Sequence, residues 1–509
     1  MFGPLLASLG EVLQPQYLFP LVVGTLAGLI GGALPGVTIT MTIIIVLPFT
    51  FGLDPLAGLA AMVGVYVGGE TGGLVTASLL GIPGTPSAVA TTFDGFPMAR
   101  KGEPGRAVWL GTWASFFAGI LGAVFLVAAT VPLARFALQF GPWEYFALFI
   151  FALSMVAGLT EASLLKGFLS GAIGLVITVI GSDPIMSVPR FTFGTDFLRA
   201  GFQFLPVLIG IFAFAQIMSD LEHLAAGRPA LRVHTPSLAV SHLAVVGDIL
   251  KRPFLLLWST LIGLLIGVLP AIGGSAANVM AYDQAKKFSR HPEKFGTGIP
   301  EGIIAAEGSN NANVAGSLVT IMAFGIPGDA VTAVMLGAMI IHGIQPGPLF
   351  MSQEPRVAYG IFAAYLLAHP VMMVLQWLLA RVYLRIVRVP RAVLVPNILV
   401  LCVIGAYALN NTVDNVWALL IFGVLGYLLV KLGIPLAPLI LGVILGDQIE
   451  VNLVRSLMTD ADPWLFLTRP ISGGMLVLAV LSVAVALWQH RRQQRRAAAG
   501  PTEVPDTDF

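Results

Sequence analysis

The stretch "LLGIPGTPS", residues 79–87, lies inside the apolar run "GGLVTASLLGIPGTPSAVATTF". Gly-Ile-Pro-Gly-Thr-Pro cannot continue a helix, because proline removes a backbone donor and crowds the preceding turn. The chain uses the device again at residues 316–336, "GSLVTIMAFGIPGDAVTAVML". Aligned, "GGLVTASLLGIPG" (72–84) and "GSLVTIMAFGIPG" (316–328) are identical at eight of thirteen positions. Upstream, "GLIGGALPG" (28–36) pairs with "GLLIGVLPA" (263–271); downstream, "DGFP" (94–97) faces "HGIQP" (342–346). The same motifs in the same order identify two homologous halves.

Composition states where these halves reside. The 509 residues are 57% hydrophobic and only 10% charged, against about 25% charged in soluble domains, and mean hydropathy is +0.90. Runs such as "GTWASFFAGILGAVFLVAATVPLA" from Gly111 exceed the roughly twenty residues that span a bilayer as a helix. The alternation of an outer-membrane barrel is absent. A net charge of +1 gives no reason to expect a nucleic-acid partner, and one cysteine, Cys402, excludes a disulfide framework or cysteine-based metal site within the chain. The segment "MFGPLLASLGEVLQPQ" lacks a basic n-region and a small-residue cleavage site, so it reads as uncleaved.

Basic residues concentrate in cytoplasmic loops. They place residues 100–106, 220–252, 286–294, 381–391 and 490–496 inside. Four crossings are expected between 106 and 220, near 107–133, 144–160, 163–181 and 203–219. Four more are expected between 391 and 490, with Lys431 at an inside turn. Arg190 and Arg199 fall in a loop this scheme puts outside. The first half reaches its inside loop after its GIPG segment, whereas the second has "KKFSRHPEK" inside before its own. The halves therefore run in opposite directions, as an inverted repeat. Residues 252–286 have length only for two short helices around "LPAIGGS", which predicts a re-entrant hairpin; its counterpart is 18–53, with tip "LPGVT". The expected organisation is a short segment 1–17, a first half 18–219, a cytoplasmic linker 220–252, a second half 253–489 with an extra C-terminal span, and a basic then disordered tail 490–509. The N-terminus falls on the periplasmic side and the C-terminus in the cytoplasm.

A helix broken inside the membrane leaves unpaired N–H groups at one half-helix start and unpaired C=O groups at the other end, each costing several kcal/mol in hydrocarbon. Half-helix N-termini suit carboxylates, and unwound carbonyls suit cations such as Na⁺. Small polar residues at the breaks supply further ligands: Thr38 and Thr40, Thr85 and Ser87, Ser275 and Asn278. Asp329 sits on a break and is a candidate for a cation or proton path, with Na⁺ placed near Gly36, Gly84, Gly274, Gly328 and Asp329. Glu70 and Glu307 are read as capping or interfacial acids. Asn310, Asn311 and Asn313 line the site or cap a helix start, His342 and His369 mark span ends, and the basic cluster 381–391 anchors topology. The predicted spans hold no central Lys or Arg, so an anion would be held by helix ends, hydroxyls, amides and co-bound cations. No metal-spaced His/Glu pair, GxSxG elbow or P-loop is present, which argues against an enzyme and against an ATP-driven pump. No cofactor is expected beyond Na⁺ or H⁺ as a coupling ion. The competing readings are an anion channel, a membrane enzyme and a scaffold subunit without its own site.

The long segments "LPGVTITMTIIIVLPFTFGLDPLAGLAAMVGVYVGGETGGLVTASLLGIPGTPSAVATTFDGFPMARKG" and "QAKKFSRHPEKFGTGIPEGIIAAEGSNNANVAGSLVTIMAFGIPGDAVTAVMLGAMIIHGIQPGP" resemble the large membrane subunit (TctA type) of tripartite tricarboxylate transporters, from about residue 18 to about 490. The resemblance implies a bacterial inner-membrane secondary importer of citrate or other organic carboxylates, driven by Na⁺ or protons. It also implies a small membrane subunit (TctB type) and a periplasmic solute-binding protein (TctC type) as partners. Pro35 and Gly36, Pro83 and Gly84, Gly273 and Gly274, Asn310 and Asn311, and Pro327 and Gly328 match family-like motif positions and are carried over as site walls. Asp329 stands where the family more often has a small polar residue, and Glu70 adds an acid to a glycine-rich stretch. The combined expectation is an all-α polytopic membrane protein, an elevator-type carrier with two re-entrant hairpins and two discontinuous helices.

Overall fold

A computed structural model gives the chain as an all-helical, multi-pass membrane protein; it describes residues 2–34, 36–158, 164–225, 238–270, 272–380, 382–383 and 391–498. Among the described residues, seven helices are long and apolar enough to cross a bilayer. An eighth is added when His242–Leu250 and Pro253–Val268, bent by 80° at their junction, count as one span. Proline opens many of the long helices, at Pro15, Pro55, Pro104, Pro253 and Pro355. Its missing N–H costs nothing there, and its fixed φ suits the first turn.

The chain divides into two compact units. The larger comprises Met1–Gln139 and Gln203–Tyr427. At its centre lie two helices of similar length, Pro55–Leu80 and Pro300–Phe324, nearly every residue of which is buried. Both end on a left-handed glycine: Gly81 at φ 68° and Gly325 at φ 71°. A side chain resists that conformation, and the glycine turns the chain out of the helix so that Pro83 and Pro327 begin the break. The shorter helices Pro15–Ala33 and Pro253–Val268 also end alike, on extended Leu34 (φ −88°, ψ 110°) and Leu269 (φ −81°, ψ 125°). Each is followed by a break and a second helix, Ile39–Val46 and Gly273–Phe288 respectively. At 1.5 Å per residue, the 16 residues of Pro253–Val268 cover about 24 Å, short of the roughly 30 Å hydrocarbon thickness.

Packing repeats as faithfully as the caps. A Cβ added to Gly28 would sit 2.3 Å from the Val65 carbonyl oxygen, and one added to Gly263 would sit 2.1 Å from that of Ser309. Gly72 meets the Leu29 carbonyl at 2.5 Å and Gly316 meets that of Leu264 at 2.4 Å. Each of these contacts in one half has its counterpart, position for position, in the other. Backbone lies on backbone, as small residues allow between membrane helices.

Ion pairs hold the ends of this unit. Arg106 reaches Asp248 at 2.7 Å, Arg252 reaches Glu301 at 2.7 Å, and Arg356 reaches Glu11 at 2.6 Å and Asp54 at 3.3 Å.

The smaller unit, Phe140–Phe202 with Leu428–Phe509, contains helices Pro142–Gly158, Leu164–Val179, Leu436–Thr459 and Pro470–Ala498. A two-stranded antiparallel ribbon pairs Gly181 with Arg190 and Ser182 with Pro189. Arg190, the basic residue awkward for the charge rule, is held by both Glu450 carboxylate oxygens at 2.6 and 3.0 Å. Its charge is answered locally. Beside it, the backbone N–H groups of Met186 and Ile185 hold the Asp183 carboxyl below its ordinary value.

The glycine contacts yield a direct test. Gly267→Ala puts a methyl 2.3 Å from the Asn313 carbonyl oxygen and is expected to destabilise by about 1–3 kcal/mol, read as a lower midpoint of thermal unfolding in detergent. Gly247→Ala, with nothing within 4 Å of the added carbon, is expected to leave it unchanged.

Candidate functional site

The larger unit buries three carboxylates where no cation pairs with them. Glu70 is 3% exposed, Glu307 is fully buried, and Asp329 lies at the GIPG break of the second half. Among the described residues no ion pair reaches any of the three. Charge at this depth is expensive unless it has a task.

Asp329 is the N-cap of helix Ala330–Ile341 in a reciprocal capping box. Its Oδ1 accepts from the Thr332 N–H and hydroxyl, both at 2.8 Å, while its own N–H donates to Thr332 Oγ1 at 2.9 Å. Its Oδ2 accepts from the Tyr66 phenol and, at 3.2 Å, from the Ser317 hydroxyl. A Cβ on Gly273 would stand 3.4 Å from the Asp329 Cβ, so the break of the second hairpin abuts this carboxylate.

Glu70 lies one helical turn beyond Tyr66. Its Oε2 accepts from the Ser87 hydroxyl, and Ser87 Oγ lies 3.1 Å from Thr85 Oγ1. The Glu70 backbone carbonyl accepts from Asn310 Nδ2 at 3.3 Å. Asn311 Nδ2 donates to Thr71 Oγ1 at 3.0 Å. The acceptor oxygens of Asn310 and Asn311, and both polar side-chain atoms of Asn313, are buried without a hydrogen-bond partner. Natural proteins leave few such atoms, and each asks for a ligand or a water.

A second polar knot joins the halves alongside. Asn278 Oδ1 accepts the Ala90 N–H at 2.7 Å, just ahead of helix Thr91–Arg100, and its Nδ2 donates to the Ala306 carbonyl at 3.1 Å. Glu307 accepts from the Thr91 hydroxyl and, at 3.3 Å, from Ser115. The fully buried Asp94 accepts the N–H groups of Gly296, Gly298 and Ile299 through Oδ1, at 3.0, 2.7 and 3.0 Å. Its Oδ2 takes the Tyr282 hydroxyl at 2.9 Å. Asp94 thus organises the approach to helix Pro300–Phe324.

With this geometry in place, comparison with known proteins is decisive. The Tripartite tricarboxylate transporter TctA family matches residues 18–441. The chain belongs to the TctA family. Two proteins of Agrobacterium vitis are similar to it. One, described as an "Uncharacterized 52.8 kDa protein in TAR-I ttuC' 3'region", is 34% identical over 493 residues, covering 96% of this chain and 97% of that protein. The other, an "Uncharacterized protein in TAR-II ttuC' 3'region", is 34% identical over 234 residues, 46% of this chain and 97% of its own length. No solved structure matches. TctA proteins are transporters, so the chain is not an enzyme.

Within this TctA protein the structure gathers most of the positions singled out in the sequence. Thr85, Ser87, Gly273, Gly274, Asn310 and Asp329 meet as described. Gly84 and Gly328 pack their breaks onto the carbonyls of Gly32 and Gly267, and Pro83 and Pro327 precede them. Thr38 caps helix Ile39–Val46 through the Met41 N–H at 3.1 Å, and Thr40 is buried in its first turn. Gly36 takes φ 96° at the first hairpin break. Pro35 lies outside the described residues, as do residues 226–237 of the expected linker, 384–390 of the basic cluster and 499–509 of the tail.

Several expectations need correction. Ser275 is exposed on helix Gly273–Phe288 rather than turned into the cluster. Glu70 and Glu307 cap nothing: each is buried in the interior of a long helix, as are Asn310, Asn311 and Asn313. His369 is no span end but a fully buried residue within Pro355–Leu379, its ring hydrogen-bonded to the Tyr365 carbonyl. His342 does sit at a helix end, as C-cap of Ala330–Ile341. The residues that sequence reasoning missed are Tyr66, Thr91, Asp94, Tyr282 and Ser317. Ser317 and Gly73 hold equivalent positions in the aligned repeat, as do Asp329 and Thr85. That polar change at two paired positions was the available signal. Among the described residues no group of three or more His, Cys, Asp or Glu side chains could hold a metal ion.

Asp94 supplies the test for this knot. Asp94→Ala removes a charged acceptor from three backbone N–H groups, a loss of about 2–5 kcal/mol. Hydrogen exchange should accelerate at Gly296, Gly298 and Ile299, while Tyr282→Phe should leave them protected. Unchanged exchange in Asp94→Ala would show that the loop is held otherwise.

Proposed function

We propose that the chain is the large permease subunit of a binding-protein-dependent secondary transporter, importing an organic carboxylate across the bacterial inner membrane on a Na⁺ or proton gradient. The observation that carries this reading is the meeting, in one buried cluster, of both GIPG breaks with the second hairpin break. The cluster contains carboxylates, hydroxyls and amides but no Lys or Arg. Such a site favours a cation outright, and accepts an anionic substrate only with one. The substrate class is citrate-like tricarboxylates or dicarboxylates, delivered by a TctC-type solute-binding protein and assisted by a TctB-type small subunit.

The halves act as an inverted repeat. Supporting this, the ion pairs join residues that this topology puts on one side: Arg106 with Asp248 and Arg252 with Glu301 inside, Arg356 with Glu11 and Asp54 outside. The hairpins and broken helices would slide as an elevator unit against the remaining spans, partly by analogy with other binding-protein-dependent carriers. A channel would need a ring-like filter, which two paired breaks do not suggest. A scaffold would have no use for buried acids at the breaks.

Uptake of labelled di- and tricarboxylates into proteoliposomes holding the chain, its small subunit and its binding protein tests the reading. Gradient-driven accumulation of one acid is expected. Asp329→Asn, which leaves the cap geometry possible but removes the charge beside Tyr66 and Ser317, should cut it about tenfold or more, the effect of one charge-assisted hydrogen bond. No accumulation of any acid under Na⁺ or proton gradients would overturn the substrate class.

A further inference from the structure

Next to the Gly274 Cα there is a point that three other elements surround. A Cβ placed there would lie 3.1 Å from Asn310 Oδ1, 3.3 Å from Glu70 Oε1 and 3.0 Å from the Ser87 Cβ. Asn310 is fully buried and its Oδ1 has no donor among the described residues. Its Nδ2 is turned to the Glu70 carbonyl, which leaves Oδ1 as the free end. Glu70 Oε2 has the Ser87 hydroxyl, whereas no hydrogen bond to Oε1 is found among the described residues. Two acceptor oxygens therefore face one small space with no donor between them. An unsatisfied buried acceptor costs about 1–3 kcal/mol, and an uncompensated buried carboxylate several more.

A cation satisfies both oxygens at once. One carboxylate, one amide oxygen and one hydroxyl carry a single negative charge, so a monovalent ion makes the site neutral and a divalent one leaves a bare positive charge in a low-dielectric interior. All the donors are hard oxygens, the ligands of alkali and alkaline-earth ions rather than of Zn²⁺ or Cu²⁺. The space is small enough that one added methyl would fill it. We propose that Glu70 and Asn310 bind Na⁺, with Ser87 completing the donor set and Gly274 leaving room for the ion by having no side chain. The site draws on both halves of the repeat, so an ion there ties the first GIPG break to the second hairpin. Its role as the coupling site rests on the transporter reading above; ion binding itself does not.

Thermal unfolding of the purified full-length chain in detergent, with NaCl titrated against choline chloride at constant ionic strength, tests the proposal without transport. The wild type should show a saturable rise in Tm with Na⁺. Glu70→Gln should abolish it. Asn310→Ala and Gly274→Ala should each raise the half-saturating Na⁺ concentration about tenfold, the cost of one lost or displaced oxygen ligand, which keeps the test decisive should Glu70→Gln fail to fold. Gly247→Ala, remote from the site, should titrate as wild type. A wild-type Tm that follows pH but not Na⁺ would mean that a proton on Glu70 bridges to Asn310, and would overturn the proposal, as would variants that titrate like the wild type. Na⁺ binding without carboxylate uptake would instead overturn the transport reading and leave this site standing.

Discussion

Backbone that leaves a helix inside a membrane must find new partners for its N–H and C=O groups. Everything distinctive about this protein follows from how it meets that demand at its breaks. Gly81 and Gly325 turn the chain out of two long helices with left-handed caps. Thr38 and Asp329 cap the helices that follow breaks, and Asn278 meets the Ala90 N–H ahead of another. These partners are polar, and the polar groups are concentrated where helix ends converge. The device that makes the breaks tolerable is also the one that makes a binding site.

Convergence depends on close packing. Glycines at positions 28, 72, 263 and 316 let helix backbones touch, with equivalent contacts in the two halves. Side chains from the two central helices can then meet: Tyr66 and Glu70 from one, Asn310 and Ser317 from the other. The halves are not chemically equal, however. Asp329 occupies the place of Thr85, Ser317 that of Gly73, and Asn310 that of Tyr66. A repeat builds the scaffold, and departures from the repeat supply the charge.

Much of this was legible in the chain. The GIPG pair and the LPG/LPA pair located the breaks, because proline and glycine punctuate helices by a local mechanism. The apolar runs located the helices that follow Arg391 and those between Arg106 and Ala225. The misreadings share one cause. Whether Glu70, Glu307 or Asn310 caps a helix depends on where that helix starts, and the openings at Pro55 and Pro300 lie ten residues or so upstream in text too apolar or too glycine-rich to mark them. Partners far apart in the sequence, such as Tyr66 with Asp329 or Asp94 with Gly298, leave no local trace at all. Ser275 was misplaced by a quarter turn, which no break motif specifies.

The central claim is that two equivalent halves enter the membrane from opposite sides and meet in one site. Sidedness can be measured directly, because Cys402 is the only cysteine and can be replaced by serine. Single cysteines at Lys101, after the first GIPG segment, and at Ser352, after the second, would be probed with a membrane-impermeant maleimide in right-side-out and inverted vesicles. The account predicts that position 101 labels only from the cytoplasmic side and position 352 only from the periplasmic side. Labelling of both from the same side would contradict it.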